Sequence, residues 1–411
     1  MPRVDVRTRL DEARPPVDPD TFFASELPAA IDAQARCIVP ALDYVAPRPM
    51  TVDVDGHVWH MRVDDGRVVI ATGPDAGAVA HVRLGAQQLD DLVRDQQTFM
   101  SMWAANTLEQ PKGNIGHLLD WWLVWRAALD GTPIHTPGAI EFRGRDGAPL
   151  DLTRTFLPDD DPEDMRHFLE EAGFMHLSGV FDDDAMAAVS ADMDAAAPRY
   201  THGDGRSWWA RTADGDTRLV RMQGFDRESP TVHDMLDDAR FLRLATIPDA
   251  GHQFGRRRES NRIEALFKPI GVTEGISDIP WHKDCGIGRH SYECAGLTVG
   301  ISVTGADDVS GQLRVIAGSH RALIWSGIRQ PDLDLPDIPL PTRTGDVTLH
   351  LSCTMHMAQP PVERERRVLY SGFSLPPLGG ADPEAVAVAR ARRGEVRESA
   401  PLTVLDRHFK S

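Results

Sequence analysis

The sequence is poor in cysteine: four in 411 residues (Cys37, Cys285, Cys294 and Cys353), far apart and with no C-x-x-C pair. That excludes a disulfide scaffold and fits free thiols in a reducing, cytoplasmic compartment. Cys285, His290 and Cys294 do not have the paired spacing of a structural zinc site, so they are set aside as ligands. Long apolar runs are also missing. The most apolar stretch, "HLLDWWLVWRAAL", is broken by Asp120 and Arg126 and is too short to span a bilayer. The opening "MPRVDVRTRLDEARPP" has no apolar core of a secretory signal. No integral membrane association is expected. Positive charge is scarce too, with 44 Lys and Arg against 62 Asp and Glu, a net charge of -18. No basic run exceeds Arg256-Arg257-Arg258, so nucleic acid is not an expected partner.

What is present reads as an α+β chain of two domains, since 411 residues exceed one ordinary core. Residues 1–44 form an N-terminal extension. From 45 to 141, "TVDVDGHVWHMRVDDGRVVIATG" alternates like paired strands, with Asp-Asp-Gly at a turn. A helical "LGAQQLDDLVRDQQTFMS" follows, then "IGHLLDWWLVWRAALDG", apolar nearly all round and closed by Gly131. Phe99, Met100, Trp103, Trp121, Trp122 and Trp125 are its expected interior. This order of elements resembles the sterol-carrier-protein-like fold, which implies an α/β domain able to enclose an apolar ligand.

Residues 142–160, rich in Pro, Gly and Asp, read as a linker. From 161 to 380, two helices flank a short strand, with Asp161 or Asp164 capping the first and Asp182 or Asp183 the second. Short apolar segments then alternate with turns, the pattern of a double-sheet β architecture. Residues 381–411 are a tail without chemical signal, in which "PEAVAVARARRGE" reads as a surface helix.

The chemistry concentrates in "PWHKDCGIGRH". On a strand, residues i and i+2 point the same way, so His282 and Asp284 can offer an imidazole and a carboxylate to one ion. Alone this is weak, because His202-Gly203-Asp204 repeats the pattern in what reads as a turn. A second histidine completes a two-His-one-carboxylate face with open positions, the mark of non-haem Fe(II) oxygenases. "TGDVTLHLSCTMHMAQPPVERERRVLYSGF" supplies His350 and His356, followed by Arg366 and Arg367. A guanidinium about ten residues past the ligand can grip the distal carboxylate of 2-oxoglutarate through two hydrogen bonds.

"HKD" at 282, "SGQLRVIAGSH" at 310, "GD" at 345, His356 and the arginine pair resemble the phytanoyl-CoA dioxygenase family, in that order. The "KP" at 268 and "GFMHLSGVFDDDAM" at 173 fit the same pattern. The resemblance implies a double-stranded β-helix (jelly roll) with flanking helices, and Fe(II), 2-oxoglutarate and O2 as cofactors. It implies His282, Asp284 and His356 as ligands, with His350 a strand neighbour. Arg366 or Arg367, with Lys268, would contact 2-oxoglutarate; family spacing favours Arg367 and the "R-x-V-L" pattern Arg366. Relatives often place a bulky aromatic where this chain has Gly300, which would leave room for substrate. Trp208 and Trp209, on an expected loop, are candidates for the substrate entrance. Halogenating relatives replace the carboxylate with a small residue, so Asp284 points to hydroxylation or another oxygenase outcome; the expected function is hydroxylation of an apolar or acyl-type small molecule, with release of succinate and CO2. The alternative is a lipid-binding carrier whose jelly roll is not catalytic.

Overall fold

The computed structural model describes residues 3–9, 16–254, 262–275, 277–285 and 288–378, together with 388 and 391. The Arg256–Arg258 triplet and nearly all of the 381–411 tail lie outside the described residues.

The first half is built on a five-stranded sheet of β1 (Met50–Val54), β2 (His57–Asp64), β3 (Arg67–Thr72), β4 (Ala80–Leu84) and β5 (Glu109–Lys112), in the order β3-β2-β1-β4-β5. Two-residue turns join its first strands. Asp55-Gly56 and Asp65-Gly66 all take positive φ (50°, 91°, 49° and 70°), which matches the twist of the hairpins they close. The helix Ile115–Asp130 starts at Asn114, whose side chain accepts from the His117 N–H, and stops at Gly131 in the left-handed region. Trp121, Trp122 and Trp125 of this helix are completely buried, with Phe99 beside them, while Trp103 is only partly so. Each such side chain contributes about 1.5–3 kcal/mol by leaving water.

The segment before residue 45 belongs to this core. Helical pieces between Pro19 and Val45 insert Phe22 and Phe23 against Trp125, with ring centroids 5.8 and 5.6 Å away. These pieces are short and interrupted by Pro28 and Pro40, so they carry no extended helical period.

The second half contains a nine-stranded and a three-stranded sheet. The large one uses β6 (Thr155–Phe156), β7 (Phe174–Leu177), β8 (Ser207–Thr212), β9 (Thr217–Met222), β10 (Glu264–Lys268), β11 (Val272–Glu274), β12 (Gly296–Ser302), β15 (Val347–Leu351) and β17 (Arg366–Ser374). Their order is β11-β8-β9-β10-β17-β12-β15-β7-β6. The small one, β14-β13-β16, uses β13 (Leu313–Ile316), β14 (Asp337–Leu340) and β16 (His356–Ala358). The strand period of two divides β12 between two environments. Leu297, Val299 and Ile301 join the core shared with the helices Pro162–Ala172 and Asp183–Ala196, whereas Thr298 faces a cavity. Those helices are capped by Asp161 and Asp182 respectively.

The stretch 142–160 is more than a tether. Its Thr155 and Phe156 add a parallel edge strand beside β7, and Phe142, Leu150 and Leu152 pack on the second core. Trp208 and Trp209 also depart from expectation: they lie on β8, in a hairpin with β9, and not on a loop. Trp-Trp-Ala-Arg-Thr has strand propensity that outweighs the turn-rich residues before it.

The halves meet along a wide seam. Tyr292, Leu323, Trp325 and Ile328 from the second half are part of the first half's core. Trp325 Nε1 donates to Asp120 across the seam (3.0 Å), and His135 pairs with Asp334 (2.7 Å). Among the described residues, no helix is long and apolar enough to cross a membrane.

Burial pushes the Asp120 carboxyl up to about 7, and the Trp325 indole N–H only partly offsets this. The folded state therefore holds this proton more tightly than the unfolded chain, so the stabilisation is full below about pH 4 and lost as pH rises through about 7. Asp120→Asn keeps an acceptor for Trp325 but does not titrate. Denaturant unfolding at pH 5 and pH 8 should show wild type losing about 1–2 kcal/mol more than the variant, allowing for partial exposure.

Candidate metal centre

His282 and His356 are distant in sequence but adjacent in space because their backbones form an isolated antiparallel bridge. Each donates its N–H to the other's carbonyl, both at 2.9 Å. His356 begins β16, while His282 stands outside the named strands and Asp284 lies in the turn that follows. The side chains of His282 and Asp284 do converge, but because a bridge leads into a turn and not by strand alternation. One ligand atom from each of His282, Asp284 and His356 falls within 4.8 Å of the others. Asp284 Oδ1 is 3.5 Å from Nε2 of both histidines.

The histidines are oriented by their other nitrogens. Nδ1 of His282 bonds the Pro280 carbonyl at 2.7 Å, and Nδ1 of His356 bonds the Thr354 carbonyl at 2.9 Å. A carbonyl only accepts, so both Nδ1 atoms carry a proton and both Nε2 atoms are left to face the carboxylate. Asp284 is oriented in turn through Oδ2, which accepts from the Thr298 hydroxyl (2.8 Å) and from His350 Nε2 (3.0 Å). His350 is therefore the neighbour that holds the carboxylate. Burial, then His356, pushes its pKa down to about 4, leaving a neutral ring that donates through Nε2. Its Nδ1 is buried without a hydrogen-bond partner, as this tautomer requires of a bare acceptor.

Charge is arranged to suit a cation. Burial alone would raise the Asp284 pKa, but His356, His282 and His350 together hold it well below the usual carboxylate range. Burial and His356 push His282 down, keeping it a neutral donor of its lone pair. Burial opposes charge on His356 as well, but Asp284 outweighs it and raises that pKa. An anionic oxygen amid two aligned imidazole nitrogens is the donor set of a hard-to-borderline divalent metal.

These groups line a cavity of about 270 Å³ whose wall also includes Arg221, Glu264, Lys268 and Tyr370. The two candidate arginines separate by strand alternation. Arg366 points inward and is 5 % exposed, with Nε and Nη2 lacking any hydrogen-bond partner among the described residues. Arg367 points outward, bonded to the Ser190 carbonyl (2.8 Å) and Asp194 (2.8 Å) on a flanking helix. The ungapped spacing that favours Arg367 takes no account of which face of β17 each residue occupies. Lys268 pairs in register with Arg366 and donates to the Ser277 carbonyl. Burial pushes its pKa down to about 8, despite Asp278 at 3.4 Å.

Gly300 does not leave open room. A Cβ there would come within 2.8 Å of Thr348 Oγ1 and 3.0 Å of Tyr370 Cε1, so the space is already taken by Tyr370, its register partner. Trp208 supports the cavity at one remove, beneath the Arg221 guanidinium at 4.3 Å, while Trp209 Nε1 bonds Ser207 Oγ at 2.9 Å. Sequence reading missed Arg221, Glu264, Thr298 and Tyr370. Stepping by two from Arg366 along β17 would have reached Tyr370; the others carry no local signal. His290, Cys285 and Cys294 stay outside the ligand cluster.

Residues 169–367 match the family model described as Phytanoyl-CoA dioxygenase (PhyH). Several solved structures resemble the chain. AviO1 from Streptomyces viridochromogenes Tue57 is 21% identical with TM-score 0.41, covering 54% of this chain and 97% of that one. The epimerase SnoN, solved with Fe3+, alpha ketoglutarate and nogalamycin RO, is 19% identical with TM-score 0.41, covering 54% and 92%. EctD from S. alaskensis, solved with 2-oxoglutarate and 5-hydroxyectoine, is 18% identical with TM-score 0.43, covering 65% and 96%. No curated protein matches the chain. The family match and the ligand cluster support an oxygenase of small molecules, with Fe(II), 2-oxoglutarate and O2 as its cofactor set.

Gly300→Ala should force Tyr370 or Thr348 aside. Urea unfolding should show a loss of about 1–3 kcal/mol, the usual cost of overpacking.

Proposed function

We propose that the chain is an Fe(II)- and 2-oxoglutarate-dependent hydroxylase in which His282, Asp284 and His356 hold the metal. The observation that carries this is the convergence of one atom from each of the three within 4.8 Å, inside the segment that matches the dioxygenase family. Arg366 is assigned to the distal carboxylate of 2-oxoglutarate, because its Nε and Nη2 are buried and unmatched. Lys268, its register partner, adds positive charge to the same end of the cavity. When bound, iron and 2-oxoglutarate together activate dioxygen for oxidation of a C–H bond, releasing succinate and CO2. The chain's residues supply orientation and a sheltered space. Thr298 and His350 keep Oδ2 of Asp284 engaged, so that Oδ1 stays with the two imidazoles. A carboxylate at 284 fills the position that a halide would need, which favours hydroxylation.

The substrate lies against Arg221, Glu264 and Tyr370 in this reading. That polar wall, in which Arg221 and Glu264 pair at 3.5 Å, favours a small molecule with hydrogen-bonding groups over the apolar or acyl-type one the family resemblance implied. The sterol-carrier-like reading of residues 45–141 is supported by the β3-β2-β1-β4-β5 sheet and its terminal helix. Its interior is occupied by Trp121, Trp122, Trp125 and Phe99, which favours a supporting role over that of a lipid carrier. On this division the units are 45–141 and 161–380, with the helical pieces from Pro19 packed on the first. A cytoplasmic location rests on the scattered cysteines alone.

Purified protein with Fe(II), 2-oxoglutarate and O2 should form succinate, and Asp284→Ala should reduce this at least a hundredfold. Iron binding without succinate from any candidate substrate would overturn the enzyme reading. Arg366→Lys should raise the KM for 2-oxoglutarate about 10–100-fold, the worth of a charged two-pronged contact, while Arg367→Ala should leave it within about threefold.

A further inference from the structure

Part of the segment that follows Asp284 is held from the other half of the molecule. Gly288, Arg289, His290 and Ser291 are all held by the loop 95–98 of the first half. Thr98 Oγ1 donates to the Gly288 carbonyl, Arg289 Nε to the Gln96 carbonyl (2.8 Å), and His290 Nδ1 to the Asp95 carbonyl (2.7 Å). The Asp95 carboxylate takes Ser291 with both oxygens: Oδ2 from the backbone N–H at 3.1 Å and Oδ1 from Oγ at 2.9 Å. Trp122 Nε1 completes the grip by donating to Ser291 Oγ at 3.1 Å.

This clamp leads back to the candidate ligands by a short route. The Ser291 carbonyl accepts from Lys283 Nζ at 2.7 Å, and Lys283 is fully buried between His282 and Asp284 in sequence. Two backbone bonds tighten the same turn, Gly288 N–H to the Lys283 carbonyl (3.2 Å) and Arg289 N–H to the Cys285 carbonyl (2.7 Å). A buried ammonium needs its partner held in place, and Asp95 is what holds the residue that supplies it. Moving Ser291 would move Lys283, and with it the two residues on either side.

We propose that Asp95 is a positioning residue for the metal centre: through Ser291 and Lys283 it sets the placement of His282 and Asp284, which makes the N-terminal half a fixed buttress of the iron site. This rests on the oxygenase reading above. Groups that orient metal ligands from outside typically change metal affinity by 10–100-fold when removed. Asp95 also lies 3.9 Å from Arg126, so a purely structural role as that cation's partner is the competing account.

The test is anaerobic titration of Fe(II) into the full chain, with the thermal midpoint of the metal-free protein measured alongside. Asp95→Ala and Ser291→Ala should weaken Fe(II) binding tenfold or more, and Ser291→Thr, which keeps the hydroxyl, should restore most of it. Trp325→Phe removes the seam hydrogen bond to Asp120, which is no part of the route from Asp95 through Ser291 to Lys283; it should lower the midpoint and leave Fe(II) affinity unchanged. Unchanged affinity in the Asp95 and Ser291 variants overturns the positioning role, as does an equal loss in Trp325→Phe. If Asp95→Ala does not fold, Ser291→Ala against Ser291→Thr decides. A wild-type chain that binds no Fe(II) instead overturns the oxygenase reading itself.

Discussion

Everything at the candidate centre depends on one short antiparallel bridge, the reciprocal hydrogen bonds between the backbones of His282 and His356. Without it the small sheet would carry one imidazole and a distant turn the other. With it, two Nε2 atoms face one carboxylate oxygen at equal distances of 3.5 Å. The bridge is itself stabilised by its surroundings. β16 pairs with β13, and the other end of the segment is tied to the first half of the molecule. Both histidines are then fixed in rotation by carbonyls from their own strand segments, which leaves little freedom for the donor set to relax.

Polar groups are distributed unevenly around this bridge, and the unevenness gives the cavity its character. On the ligand side every carboxylate oxygen is engaged, because Thr298 and His350 take what the imidazoles leave. On the arginine side the Arg366 guanidinium is buried with two nitrogens unmatched. A buried cation in that condition is costly until an anion arrives, which is what the proposed contact with a 2-oxoglutarate carboxylate would supply. Tyr370, lodged against Gly300, forms a further part of the cavity wall.

Several of these features were legible in the sequence and others were not, for identifiable reasons. The convergence of His282, Asp284 and His356 was readable because a two-His-one-carboxylate set restricts residue types and the family resemblance supplies the spacing. The helix caps were readable as one of two aspartates each, Asp161 or Asp164 and Asp182 or Asp183, since capping is local, and the first of each pair is the cap. The face of β17 was not: Arg366 and Arg367 differ only in the phase of an alternation that pairing with β10 and β12 decides. Trp208 and Trp209 were hidden by the glycine- and aspartate-rich residues before them, which look like a longer loop. The helical pieces from Pro19 to Val45 are too short to show a period, and their membership in the first core is visible only from Phe22 and Phe23. The grip of Asp95 on Ser291 leaves no trace in sequence, because nothing in either segment announces the other.

That last contact has a consequence for how the molecule is assembled. Asp95 and Ser291 are 196 residues apart in the chain, and closing so long a loop is slow relative to forming hairpins and helices. The first half, whose sheet and helix are built from near neighbours, can form most of its core before Tyr292, Leu323, Trp325 and Ile328 are added from the second half. The segment carrying His282 and Asp284 can adopt its final form only after docking on that surface. Order of synthesis thus bears on the site: a nascent or partly folded chain does not yet hold His282, Asp284 and His356 together.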